Sequence, residues 1–203
     1  MTDISLFEVI HSQRAIRNFT DDPVPDEAIN TILEAAIRAP SGGNTQRWNF
    51  LVIRDRETKR RFGEWYVDAW SSLVASMDLQ GPSSQPYRPS MLTRAMEDIP
   101  VLILACMERR PRGRDPVSIT GGASIYPAVQ NIMLAARALG LGTVLTTLHT
   151  NHEQEVKDYL GIPEYVDTAA LIPLGYPAQG EKFGGSRRRP SSEVTFRERW
   201  GQS

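Results

Sequence analysis

Seven consecutive apolar residues, Val101 to Met107, constrain this chain more than any other stretch. A membrane-spanning helix needs roughly 20 apolar residues, so a membrane partner is not expected. A short apolar run between polar residues reads instead as a strand buried on both faces. It contains the only cysteine, Cys106, which can close no intrachain disulfide. Cys106 therefore reads as a small buried hydrophobe, in a chain suited to a reducing compartment.

A strand buried on both faces needs partner strands and covering helices. Trp48 to Ile53, Thr143 to Leu148 and Thr168 to Leu174 have the apolar content of such strands. Between Asp26 and Arg38, Ile29, Ile32, Leu33, Ala36 and Ile37 recur at helical spacing, with Pro25 and Asp26 as a start and Pro40 as a stop. Leu6, Val9 and Ile10 share one face of a shorter helix, about Ser5 to Ser12. Residues 57–79 also read as helical, and residues 81–92 hold enough Gly, Pro and Ser for a loop. Ile125, Val129, Ile132, Met133, Ala136 and Leu139 mark a buried helix over Ala123 to Leu139, ending at Gly140. A further helix is predicted to open at Asn151, where Gln154 three residues on makes a capping-box pattern, and to end at Gly161 and Pro163. Helices and strands mix without tight βαβ alternation, which predicts one α+β domain over residues 1–203, a small mixed sheet surrounded by helices. After Gly175-Tyr176-Pro177 the remaining residues are polar and basic, with Arg187-Arg188-Arg189 before Pro190, and show no core periodicity. Such a tail is disordered or is held by another surface.

Several chemistries are disfavoured. Lys and Arg total 23 against 24 Asp and Glu, so no global field favours nucleic acid. His11, His149 and His152 are the only histidines, no cluster has metal-ligand spacing, and His149 and His152 are expected at the surface or in loops. No Gly-x-Ser-x-Gly elbow or Gly-Lys-Ser/Thr phosphate loop occurs. Gly140-Leu141-Gly142-Thr143 follows a helix and precedes a strand, the reverse of a dinucleotide fingerprint, and reads as a helix cap. The N-terminus lacks a basic leader with an apolar stretch, so a cytoplasmic location is expected.

Two polar segments remain. Arg14 and Arg17 flank Ile16 just after the first helix, placed either to grip a phosphate with charge-assisted bonds or simply to be solvated. Pro40-Ser41-Gly42-Gly43-Asn44-Thr45-Gln46 joins a helix to a strand; its small residues would let a flat ligand reach the backbone, and Ser41, Asn44 and Gln46 offer hydrogen bonds. As an isolated loop it is equally a turn.

Together these segments resemble the nitroreductase family along nearly the whole chain. Ser12-Gln13-Arg14-Ala15-Ile16-Arg17-Asn18-Phe19 is similar to the family's Arg-Arg-Ser-Ile-Arg-x-Phe opening. Ala39 to Trp48 resembles its Ala-Pro-Ser-x-x-Asn-x-Gln-Pro-Trp loop. Ala135 to Thr143 resembles its central helix end, Leu174 to Pro177 its final strand, and Arg187 to Pro190 its basic C-terminal motif. Gln13 and Arg47 depart from the pattern, replacing an arginine and a proline.

The resemblance implies a nitroreductase-like fold, an intertwined homodimer, and FMN bound at its interface. It implies a substrate-channel insert at about 57–98 and a C-terminal arm at about 178–203 that wraps the partner. Arg14, Arg17 and Arg188 would meet the phosphate or ribityl chain, with the Ala15 backbone. Pro40, Ser41 and Asn44 would line the ring and ribityl chain with Gln46 close by, and Thr146 and Thr147 would offer donors near the pyrimidine edge and N5. No side chain is expected to act as a nucleophile. The implied activity is ping-pong transfer of electrons from NAD(P)H, through flavin N5, to small electron-poor acceptors such as nitroaromatics or quinones. Trp65, Tyr66, Trp70 and Tyr87 lie in the insert, as channel walls or as packing. Alternatives from the same resemblance are a flavin-dependent reductive dehalogenase, which shares the Thr146-Thr147 feature, and a flavin-binding protein without turnover. A catalytically empty scaffold is the remaining one.

Overall fold

A computed structural model describes residues 4–76, 90–109 and 120–201. Helix α1 spans Leu6–Ser12, with the Ser5 side chain accepting from Glu8 N, and α2 spans Asp26–Ala36 behind Pro25. Strand β1 is Trp48–Ile53, α3 is Arg56–Ser76, α4 is the short Met91–Arg94, and β2 is Val101–Glu108. Then come α5, Ile125–Ala138, β3, Gly142–Thr143, α6, Glu153–Leu160, and β4, Val166–Gly175. Of the expected loop 81–92, residues 81–89 lie outside the described residues, as does Tyr87.

The sheet runs β1-β2-β4-β3, antiparallel at every named pair. Its parallel component among the described residues is a bridge between Ala15 and Thr143. The apolar run sits at the centre, and alternation along it explains its composition. Val101, Ile103 and Ala105 face a core closed by α2 and α5; Leu102, Leu104 and Cys106 face a second core with Phe62, Trp65 and Tyr66 of α3. Each fully buried leucine there contributes about 1.5–3 kcal/mol. Burial pushes the Cys106 thiol up to about 12, which leaves it a neutral hydrophobe.

α5 ends as its sequence predicts. Gly140 takes a left-handed φ of 78°, Leu141 N donates to Ala136 O at 2.8 Å and Gly140 N to Arg137 O at 3.1 Å, the paired bonds of a glycine-terminated helix. Three expectations are corrected. The strand expected over Thr143 to Leu148 is only Gly142–Thr143, because β4 supplies one further bridge, Thr146 to Leu171. The capping box at Asn151 does not form: a 3-10 turn at Leu148–His152 occupies that position, and α6 starts at Glu153 without a side-chain cap. His149 is not at the surface but buried at 2% exposure, with neither ring nitrogen bonded among the described residues, and desolvation lowers its pKa to about 4. His152 is half-buried, its Nδ1 3.0 Å from Glu155 and its Nε2 3.0 Å from Asp68 of α3.

Candidate functional site

The segment after α1 is stitched to β3, with Ile16 N donating to Thr143 O at 2.9 Å. Ile16 is fully buried against Gly142, where a Cβ would stand 2.8 Å from Ile16 Cβ and Cγ2. The close approach needs glycine, and it throws the flanking Arg14 and Arg17 outward, both exposed. Beyond β3 the chain reaches Thr146, buried and held by both backbone bonds to Leu171, and then Thr147, exposed. Arg17, Thr146 and Thr147 come together around a half-open cavity of about 330 Å³, walled by Tyr66, Trp70 and Leu73 of α3 together with Leu92 and Val144. No acid lines it. Trp65 belongs to the core instead, edge-on to Phe62 at 5.3 Å and to Tyr159 at 6.0 Å.

Two groups at this cavity are without partners among the described residues. The Arg17 guanidinium makes no ion pair or hydrogen bond, and the Thr147 N–H and hydroxyl are unbonded, although the Thr147 carbonyl accepts from Thr150 N and Oγ1. Arg14 Nη1 donates to Gly184 O at 3.1 Å. Arg188 is exposed, its Nη1 bonded to the carbonyl of Arg187.

The other polar segment folds on itself. Gln46 N donates to Ser41 Oγ at 3.1 Å, Gln46 Nε2 to Asn44 Oδ1 at 3.2 Å, and Gly42 N to Ser124 Oγ at 3.2 Å. Asn44 and Gln46 adopt positive φ, 53° and 49°, a conformation that costs an L residue about 1–2 kcal/mol and tends to persist where function requires it. Pro40, Asn44 and Gln46 are exposed and Ser41 half-buried. Ser124 precedes the first residue of α5, whereas Ser12, at the end of α1, bonds Arg137 in its last turn at 2.9 Å. The 14 residues of α5 span about 21 Å at 1.5 Å per residue. Within one chain, therefore, the Pro40 to Gln46 loop and the Arg14 to Arg17 segment occupy opposite ends of the same helix, and they are not brought together.

The nitroreductase family model matches residues 10–176. The chain belongs to the nitroreductase family. An NADH dehydrogenase of Thermus thermophilus is 32% identical over 200 residues, covering 91% of each chain. A Desulfovibrio desulfuricans chain solved in complex with FMN is 30% identical, with a TM-score of 0.69 over 98% of this chain and 99% of its own. Nitroreductase A of Vibrio parahaemolyticus, 21% identical, has the same fold, with a TM-score of 0.77 over 98% of this chain and 78% of its own.

The residues at the cavity fit the family's FMN. A flat ring suits walls of Tyr66, Trp70, Leu73 and Leu92, the unpaired Arg17 suits an anionic edge or phosphate, and the free Thr147 donors suit electronegative ring atoms. Sequence reading missed Leu73, Leu92 and Val144, whose apolar character signals burial alone, and Ser124, whose place just before a helix is a cue for a cap. Arg47, whose destination its sequence does not indicate, donates through Nη1 to Arg109 O at 3.0 Å and ties the loop's end to the end of β2.

Proposed function

We propose that this nitroreductase family member reduces small electron-poor acceptors, such as nitroaromatics or quinones, by a ping-pong reaction in a site completed by two copies of the chain. As a family member it is an NAD(P)H-dependent flavin oxidoreductase with FMN as cofactor. The observation that carries the two-chain site is that the matched loop and the segment that carries the matched arginines meet opposite ends of α5 in one chain, a 14-residue helix that spans about 21 Å. A two-fold related partner brings the loop of one chain to the arginines of the other.

When bound, FMN supplies the redox chemistry, exchanging electrons between NAD(P)H and the acceptor. Arg14 and Arg188 bind its phosphate and ribityl end, and the Ala15 backbone lies beside them. Arg17, which lines the cavity, would hold its positive charge against the bound cofactor and favour an anionic group there. Thr146, fixed by Leu171, holds Thr147 so that its N–H and hydroxyl face the ring. From the partner, Pro40, Ser41, Asn44 and Gln46 close the ring and ribityl chain. Tyr66 and Trp70 exclude water and offer a stacking face to nicotinamide and acceptor in turn. The whole of residues 1–203 forms one FMN-binding unit, with the insert 57–98 shaping the acceptor pocket. The arm from 178 onward wraps the partner, supported by the exposed Val194, Phe196 and Trp200. The buried neutral thiol of Cys106 is consistent with a cytoplasmic protein.

The test is purified protein with NADPH and a nitroaromatic. The yellow colour should bleach with NADPH and return as the nitro compound is consumed; a yellow protein that does not bleach removes the proposal. Halide release from a halophenol with no nitro reduction replaces it with the dehalogenase reading.

A further inference from the structure

Arg137, in the last turn of α5, does not line the cavity, yet it organises the segment that meets Arg14. Its guanidinium lies over the Phe183 ring, 4.2 Å from Cζ to centroid, and its Nε donates to Ser12 Oγ at 2.9 Å. Ser12 O in turn accepts from Gly184 N at 2.6 Å, and Gly184 O accepts from Arg14 Nη1 at 3.1 Å. The contacts close a ring: Arg137 holds Phe183 and Ser12, these hold Gly184, and Gly184 holds Arg14. Gly184 and Gly185 both adopt left-handed φ, 78° and 70°, so the strap turns sharply where it passes Arg14. Upstream the strap is fastened by Asn18, whose Nδ2 donates to Glu181 Oε1 at 2.7 Å and whose carbonyl accepts from Ala178 N at 3.0 Å.

We propose that Arg137 and Phe183 are positioning residues for the phosphate of FMN, acting through Gly184 to fix the Arg14 guanidinium before the cofactor arrives. The proposal rests on the reading of Arg14 as a phosphate contact. A free arginine loses rotamer freedom when it binds; one already held by a carbonyl loses less. A carbonyl anchor orients the cation without neutralising it, and the donors it leaves free can meet phosphate oxygens. A carboxylate in that place would compete with the ligand. The strap that anchors Arg14 also leads, within a few residues, to Arg188.

The measurement is the affinity of flavin-stripped protein for FMN and for riboflavin, by quenching of flavin fluorescence. The ratio of the riboflavin dissociation constant to the FMN dissociation constant isolates the phosphate contribution. Phe183→Leu and Arg137→Met are expected to lower that ratio about tenfold and to leave riboflavin affinity unchanged, while Phe183→Tyr, which keeps the aromatic face, retains the native ratio. Phe183 is half-buried on a surface strap, so its variants decide the matter even if Arg137→Met does not fold. An unchanged ratio in Phe183→Leu overturns the proposal, as does equal weakening of both flavins, which is the mark of a merely structural role. Native protein that binds both flavins equally well overturns the reading of Arg14 itself, a separate outcome.

Discussion

His149 carries a proton-linked cost that can be worked from its surroundings. The imidazole is buried and neither nitrogen is bonded among the described residues, so its charged form is disfavoured and its pKa falls from 6.5 to about 4. In the unfolded chain the ring returns to its ordinary value. Between about pH 6.5 and about pH 4 the unfolded state binds more protons than the folded state, so stability rises with pH across that window and is lost as pH falls through it. The shift from 6.5 to about 4, at 1.36 kcal/mol per unit, amounts to about 3 kcal/mol in full. His149→Leu removes the linkage. At pH 7, where the native ring is neutral, the variant should be near neutral or slightly stabilising, since a lone buried N–H is removed. The assay is urea denaturation by circular dichroism at fixed protein concentration, on both proteins, from pH 7 to pH 4. Carboxylates titrate in both, so they cancel in the difference. The variant's advantage should grow by about 3 kcal/mol from pH 7 to pH 4; a difference that stays flat with pH refutes the reasoning.

Other outcomes follow from the same geometry. Gly142→Ala drives a Cβ to within 2.8 Å of Ile16 and should destabilise by about 1–3 kcal/mol, with FMN affinity falling as the arginine segment shifts; a melting temperature equal to the native one contradicts this packing. Gln46→Gly relieves a positive φ and should leave the flavin-free protein equally stable or up to about 1 kcal/mol more stable, yet weaken FMN binding; unchanged binding removes Gln46 from the site. Cys106 should resist a maleimide in the folded protein at pH 8 and react once denaturant is added; rapid labelling of native protein contradicts its burial.

Local pattern made most of the fold legible. The helical spacing in α2 and α5, the apolar run of β2 and the glycine stop at Gly140 depend on neighbours in sequence, and all appear where their residues place them. What was not legible depends on distant partners. Thr143 to Leu148 is as apolar as a strand, but a strand needs an edge to pair with, and among the described residues β4 pairs with it at Thr143 and adds one bridge at Thr146. His149 is a polar type that only the packing of its turn against α3 buries. The matched site motifs were legible as segments, but their placement at opposite ends of α5 was not, because Gly42 and Ser12 meet that helix, at Ser124 and Arg137, through bonds that span 82 and 125 residues. Arg137 appeared only as part of a helix end, since Phe183 lies far along the chain.

Mixed dimers decide whether two chains share the flavin. One chain carries Arg14→Gln with Arg17→Gln, the other Ser41→Glu with Asn44→Glu, and each is first purified as its own homodimer. Both homodimers should take up no FMN. Unfolded and refolded together, they should form mixed dimers with a single yellow site, built from the native arginines of one chain and the native loop of the other. Mixed dimers that stay colourless while native protein refolded in the same way turns yellow would place the whole site within one chain and contradict the shared arrangement.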